Sequence, residues 1–319
     1  MHEFEIITKY FERLSKNNKS SLDLNDDVFF DKKKGLVISI DTYNEGYHFL
    51  NFQNPELVIK KILRSSISDL ICKGVLPKFY FISGSGNNKT FSKKNLQKIS
   101  KSLNEEQKKY DIFLCGGDTT FSNKLSFSIT SVGYSKKIIF RNKANLNDDI
   151  YITGNLGDSF MGLQILKNKV KVKKKVREYF INKYYKPDIQ ISLTKKLLRF
   201  ANTSIDISDG LVADLEKMLN RQNLSYLIEE HKLPVSKYLK DFLVSKKIIK
   251  SRLISNGDDY QVLFTANTSK SRIILNTSKI LGIKITKIGK INSSKKKSII
   301  IDKKGKKIEL KNKGYVHQF

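Results

Sequence analysis

Acidic side chains are scarce in this chain: 31 Asp and Glu stand against 60 Lys and Arg, for a formal net charge of +29. A carboxylate that falls inside an apolar stretch is therefore informative. Thiols and imidazoles are scarcer still. The only cysteines, Cys72 and Cys115, lie far apart in neither a CxxC nor a zinc-type spacing, and the four histidines form no HxxxH or HExxH pair. That argues against a disulfide framework, a thiolate metal centre and a zinc hydrolase, and both cysteines read as ordinary buried thiols. No serine stands in a GxSxG elbow. No apolar run reaches membrane-spanning length, and the opening EFEIITKYFERL has helical periodicity without the apolar core of a signal peptide. The expectation is a cytoplasmic protein with no membrane partner.

The positive charge is spread along the whole length beside many Asn and Ile, which is the pattern of a lysine-coated surface and not of a nucleic-acid stripe. No nucleic-acid partner is expected, although a basic field helps to draw in polyanions such as ATP. At 319 residues, 39% of them hydrophobic, two domains sharing one cleft are expected. Strand-like runs near Val37–Asp41, Ile112–Cys115, Leu125–Gly133, Ile150–Thr153 and Val262–Thr265 alternate with helical patterns, an α/β signature without internal repeat. One helix is sharply punctuated: Asn54 as N-cap, Pro55 in the first turn, Glu56 beside it, then Gly74 and Pro77 closing it after Ser68 and Asp69. A polar stretch over Lys136–Asp149 separates a first domain, 1–140, from a second, 141–319. The lysine-rich Lys167–Arg177 reads as a surface excursion within the second.

The few aspartates gather at element ends. Asp26 and Asp27 sit in LNDDVFF, Asp41 ends VISID, Asp69 lies in SISDL, Asp118 follows a strand in CGGDTT, and Asp206 and Asp209 occur in IDISDGL. A bare carboxylate beside an apolar run costs free energy unless it is paired or binds metal. Clustered carboxylates without His or Cys suit a hard cation, and Mg²⁺ bridges such groups to substrate phosphates. Singly, Asp26, Asp27 and Asp209 could be turn or cap residues and Asp41 could bond its own backbone; as a set, one metal–phosphate cleft explains them together. Gly116 and Gly117 would let main-chain N–H groups approach an anion, and Ser208 reads as an N-cap at a helix start. The turn Thr153-Gly154-Asn155-Leu156-Gly157 fits a phosphate loop and a plain strand-to-helix turn equally, and Gly84–Lys89 matches no phosphate fingerprint and reads as a turn.

Taken in order, EFEIITKYFERL, DTYNEGYHF, SDLICKGVLP, CGGDTT, IYITGNLGDS, IDISDGL, GDDYQVLFT and GYVHQF span nearly the whole chain. In this order they resemble the thiamine-monophosphate kinase family, within the wider aminoimidazole-ribotide synthetase-like superfamily of ATP-binding proteins. The resemblance implies a two-domain α/β (α+β) fold and a homodimer joined through the sheets of the N-terminal domains, with the site near the domain junction. The activity it implies is ATP-dependent phosphorylation of thiamine phosphate to thiamine diphosphate. It implies several Mg²⁺ ions on Asp27, Asp41, Asp69, Asp118, Asp206 and Asp209 with Ser39 assisting, ATP contacts at Gly117, Asp118, Arg141 and Ser208, and acceptor contacts at His48, Asp258 and Tyr315. Because a phosphate monoester is already largely ionised at neutral pH, no nucleophile, general base or phosphoenzyme is expected. The chain departs from the family pattern at Asn25, Asn147 and Lys143, where glycine is usual, at Ser66 for asparagine, at Phe121 for arginine and at Asp258 for glutamate. Asn25 and Asn147 are expected to adopt positive φ in place of glycine, Phe121 puts one phosphate contact in question, and the shorter Asp258 reshapes acceptor recognition.

Three other readings stay open. Another kinase or synthetase of the superfamily would share the fold with a different acceptor, but a selenophosphate synthetase would need a reactive Cys before Cys72, and an aminoimidazole-ribotide synthetase would lack the EGYHF and GDDY pair. A basic nucleic-acid-binding protein would show aromatics interleaved with Arg and Lys on one face. A regulatory homologue without activity is consistent with Phe121.

Overall fold

A computed structural model of the protein describes residues 3–246, 250, 255–310 and 312–315. Two sheets organise them. The first has the order β1-β2-β5-β3-β4, built from β1 (Phe29–Asp31), β2 (Leu36–Asn44), β3 (Pro77–Gly86), β4 (Phe113–Phe121) and β5 (Ser126–Tyr134). Only β3 and β4 run parallel. The second has the order β12-β11-β8-β10-β6-β9-β7, from β6 (Asp149–Thr153), β7 (Thr203–Asp206), β8 (Leu224–Glu229), β9 (Val262–Ala266), β10 (Ile285–Ser293), β11 (Ile299–Ile301) and β12 (Lys307–Ile308). The mixed α/β class expected from the alternating patterns is what the chain forms, and each of the five expected strands is present.

The helix Pro55–Cys72 carries Pro55 in its first turn and ends before Gly74, as its punctuation predicts, although Asn54 makes no side-chain cap bond. Its apolar face, including Val58, Ile62, Leu63 and Ile67, is buried with Ile129 and Tyr80 of the first sheet. Fully burying an aliphatic side chain of this size contributes about 1.5–3 kcal/mol, so this face anchors the helix that presents Asp69. In the second sheet Ile150, Ile152, Ile205, Leu263 and Ile288 pack with Leu211 and Leu215 of the helix Leu211–Leu219. The N-terminal segment is helical from Glu3 to Ser15, with a wider π-type turn over Ile7–Phe11.

Several expectations need correction. Cys72 is buried, but Cys115 is exposed on β4, because among the described residues no element covers that edge strand and all nine of its residues are exposed. Gly84–Gly86 belong to β3 rather than to a turn. Asn25 has φ −119, and the positive φ near it falls on Leu22, Asp23 and Leu24. Asn147 does adopt a left-handed φ of 69, and beside Lys143 the left-handed residue is Asn142, so Lys143 itself replaces glycine without that strain. Gly116 and Gly117 sit at a register shift between β3 and β4; a Cβ on Gly117 would come within 1.8 Å of the Ile82 carbonyl oxygen. Close strand packing alone therefore demands that glycine.

Candidate functional site

A cleft of about 650 Å³ runs between the two sheets. Its walls bring together Asp26, Asp27, Asp41, Asp69, Asp206 and Asp209, with Arg141, Ser208, His48, Asp258 and Tyr315. These come from β2, the last turns of the helix Pro55–Cys72, the end of β7 and the loops that follow. Residues from both halves of the chain thus face one space. Three expected residues do not line it. Ser39 is 3% exposed, and its hydroxyl donates to the Ser66 carbonyl oxygen at 3.3 Å. Gly117 and Asp118 lie on the uncovered edge strand β4, where Asp118 accepts from the Thr119 N–H at 2.8 Å.

The carboxylates divide into two groups. Asp41, Asp69 and Asp206 have no ion pair among the described residues. Hydroxyls serve two of them: Tyr43 Oη donates to Asp41 Oδ2 at 3.1 Å and Ser68 Oγ to Asp206 Oδ2 at 2.5 Å. Burial, opposed by Tyr43 and reinforced by the charge of Glu3, pushes Asp41 up to about 6. Burial, opposed by Ser68 and reinforced by Asp41, does the same to Asp206, also to about 6. Asp69 is held well above the ordinary carboxylate range by burial and by the charges of Asp41 and Asp206. Three mutually repelling carboxyls without a cation are a costly arrangement unless a ligand uses it.

Asp26 and Asp27, by contrast, are already served. Lys73 Nζ lies 2.7 Å from Asp26 Oδ1 and 2.7 Å from Asp27 Oδ2. Arg141 grips Asp27 through Nε at 3.1 Å and through Nη2, and its backbone N–H donates to Asp26 Oδ2 at 2.9 Å. Asp209 is paired with Lys217, which also lies 3.4 Å from Asp214. The sequence did not single out Lys73, Lys217 or Asp214. Their only signal was spacing, Lys73 one helical turn beyond Asp69 and Lys217 three residues beyond Asp214.

Ser208 is not the helix cap. Gly210 takes that place, because the buried Asp214 carboxylate reaches back to accept from the N–H groups of Asp209 and Gly210, both at 3.0 Å. The Thr153–Gly157 turn spends its donors on protein: the N–H groups of Gly154, Leu156 and Gly157 go to Lys284 O, Pro234 O and Asp259 Oδ2. The plain strand-to-helix turn accounts for it.

At the acceptor end His48 Nδ1 accepts from the Asn44 N–H at 3.0 Å, and its ring packs edge-on to Tyr43. Tyr315 is fixed by its N–H to Asp209 O at 3.0 Å; residues 316–319 of the closing GYVHQF motif lie outside the described residues. Asp258 bonds Lys61 Nζ at 2.6 Å and accepts from Tyr260 Oη at 3.2 Å. Lys61, only 1% exposed, lies 4.1 Å over the Tyr184 ring. Both Asp258 (φ 68) and Tyr260 (φ 49) are left-handed, a strained backbone of the kind that clusters at ligand clamps. Gly257 lets this segment close on the Ser208 loop, since an added Cβ would lie 1.7 Å from Ser208 O. Gly257→Ala is expected to cost about 1–3 kcal/mol by overpacking and to lower the melting temperature by several degrees in a thermal-shift assay. An unchanged midpoint would show that this contact is not close.

Comparison with known proteins decides the family. The family model for the AIR synthase related protein, N-terminal domain, matches residues 25–135. The chain is 36% identical over 328 residues to the thiamine-monophosphate kinase of Buchnera aphidicola subsp. Acyrthosiphon pisum, covering 99% of this chain and 98% of that one. The chain belongs to the thiamine-monophosphate kinase family. Another family member, from Escherichia coli K12, is 30% identical over 322 residues, with 99% and 98% covered. Among solved structures, AaThiL complexed with AMPPCP and TMP superposes with a TM-score of 0.84 at 28% identity, covering 99% of this chain and 97% of that one. The hydrogenase maturation protein HypE of E. coli, at 16% identity and TM-score 0.70, with 88% and 87% covered, shares the fold alone. The mixed α/β, aminoimidazole-ribotide synthetase-like fold expected from the family resemblance is therefore this chain's fold.

Proposed function

We propose that this protein transfers the γ-phosphoryl group of ATP directly to thiamine phosphate, giving thiamine diphosphate and ADP. Family membership and the likeness to a relative solved with AMPPCP and TMP support the reaction. The observation that carries the chemistry is the group Asp41, Asp69 and Asp206, whose carboxyls face one cleft without a cation of their own among the described residues. Oxygen-only donors of this kind fit Mg²⁺. Among the described residues no group of three or more acidic, His or Cys side chains stands close enough to hold a metal ion by itself, so an ion here would have to take its remaining ligands from water and the substrates' phosphate oxygens. Bound there, magnesium would supply charge neutralisation between the two phosphate-bearing substrates.

The remaining roles belong to the chain. Arg141, oriented by Asp27, offers its remaining guanidinium donors to the ATP phosphates, and the Ser208 loop lies beside it. His48, Asp258 and Tyr315 hold the acceptor. Lys61 and Tyr260 fix the direction of the short Asp258 carboxylate, which would set how the acceptor is held. A phosphate monoester has its second pKa near 6 and is largely ionised at neutral pH, so the reaction needs no general base. The domains are taken as 1–140 and 141–319, meeting at Arg141. A cytoplasmic setting, where ATP and magnesium are plentiful, belongs to the same reading.

We also infer a homodimer through the first sheet. Its support is the edge strand β4 with Phe113, Leu114 and Phe121 exposed, and beside it the exposed Phe81 on β3. Uncovered apolar edges are pairing surfaces. Packing a second copy there would bury them, and Gly117 and Asp118, on the same exposed strand, would then face the partner. Phe121→Lys is expected to yield a monomer by light scattering with activity lowered more than about tenfold; a fully active monomer would remove the dimer from the account. The acceptor is tested by ADP release from ATP with thiamine phosphate, thiamine and unrelated phosphate monoesters. Release with thiamine phosphate alone is expected, and release only with a different monoester would replace the acceptor.

A further inference from the structure

We propose that Lys73 is a built-in cation of this site, whose ammonium takes the place of a divalent ion at Asp26 and Asp27. Magnesium recruitment is thereby left to Asp41, Asp69 and Asp206. The inference rests on the metal-assisted reading above and revises one part of it, since Asp27 is among the residues that the family resemblance assigns to metal.

The geometry is specific. The Lys73 side chain is 0% exposed, and its three N–H donors meet three acceptors: Asp26 Oδ1 and Asp27 Oδ2 at 2.7 Å each and the Ser204 carbonyl oxygen at 2.9 Å. An ammonium has three donors and no acceptor, so it is saturated. With Arg141 on Asp27, two carboxylates are balanced by two cations within direct contact. A charge buried this way is held by its partners, and removing one side leaves the other uncompensated. Lys73 therefore supplies permanently, from the C-terminal end of the helix Pro55–Cys72, the positive charge that a metal would otherwise bring. A saturated, buried ammonium is also hard for Mg²⁺ to displace, because Mg²⁺ gives up its waters reluctantly. No such cation reaches Asp41, Asp69 or Asp206 within ion-pair distance among the described residues, so the two halves of the acidic wall have different tasks.

The test counts ions rather than turnover. Mn²⁺ bound per chain is measured by electron paramagnetic resonance in the presence of a non-hydrolysable ATP analogue, for the natural protein, Lys73→Met and Lys73→Met/Asp27→Asn. Lys73→Met should bind one additional ion and melt lower than the natural protein in EDTA, with Mn²⁺ recovering the difference. Removing the Asp27 charge as well should return the count to that of the natural protein, a reversal that a merely structural lysine would not produce. If Lys73→Met folds only when a divalent ion is present, that too supports a stand-in cation. The same ion count in Lys73→Met as in the natural protein would overturn the proposal while leaving the metal site intact. So would failure of both variants to fold with or without Mn²⁺, which would make Lys73 a structural pillar. No Mn²⁺ bound by the natural protein would sink the metal-assisted reading itself.

Discussion

Asp69→Asn is expected to lower kcat on the order of 10²- to 10³-fold, the scale of losing one preorganised electrostatic group, while making the metal-free protein more stable. Both effects have one cause. Asp69 is pushed up by burial and by the charges of Asp41 and Asp206, so its ionised form is unfavourable in the fold unless a cation joins it. Asparagine keeps the shape and removes the repulsion. A gain of a few degrees in EDTA, accompanied by loss of the Mg²⁺-induced stabilisation, is the expected pattern by thermal shift. Asp258→Asn provides the contrast: it sacrifices the partner of the buried Lys61, so it should lose stability along with acceptor affinity. An Asp69→Asn protein that turns over normally would remove Asp69 from the reaction.

The second large effect is the dependence of stability on pH. Asp41 and Asp206 titrate near 6 in the fold against an ordinary value of 3.8, and Asp214 near 7 through burial, which outweighs the opposing charge of Lys217. A raised carboxyl pKa means that the folded state holds more protons than the unfolded state between the two values. Stability from these groups is therefore present below about pH 4 and is lost as pH rises through 6 to 7. In EDTA the melting temperature should fall over that window, by roughly 5 °C. Added Mg²⁺ should reverse the part of the fall that comes from Asp41 and Asp206, because it binds their ionised carboxylates and not the enclosed Asp214, and its stabilising effect should grow from pH 5 to pH 7. A metal-free midpoint that instead rises steadily across the window would contradict the picture of uncompensated carboxyls.

Much of this site was legible because of what the chain lacks. Where acids are rare, an Asp at the end of VISID or in the middle of SISDL is hard to explain by solubility, and the structure does place Asp41, Asp69 and Asp206 around one cleft. The helix Pro55–Cys72 was readable for a similar reason, since Pro, Gly and an apolar stripe are local signals. The countercharges were not readable. Lys73 and Lys217 are two among 60 basic residues, and only tertiary packing distinguishes a buried ammonium from a solvated one. The Ser208 reading failed because the N-terminal donors of its helix are met from within by Asp214, a return contact that any polar residue nearby could have supplied. Gly116 and Gly117 looked like a phosphate cradle, yet the register shift against β3 needs them regardless of ligand. Asp118 is expected at the metal site from its motif, yet the structure places it on the exposed edge strand β4, away from the other carboxylates.

The central claim is direct, metal-assisted transfer from ATP to thiamine phosphate. Its most direct test is to incubate the purified protein with γ-labelled ATP, Mg²⁺ and thiamine phosphate and to follow the label. The account predicts label in thiamine diphosphate, none retained on denatured protein, and no transfer in EDTA. Label trapped covalently on the protein, or transfer that persists in EDTA, would contradict it.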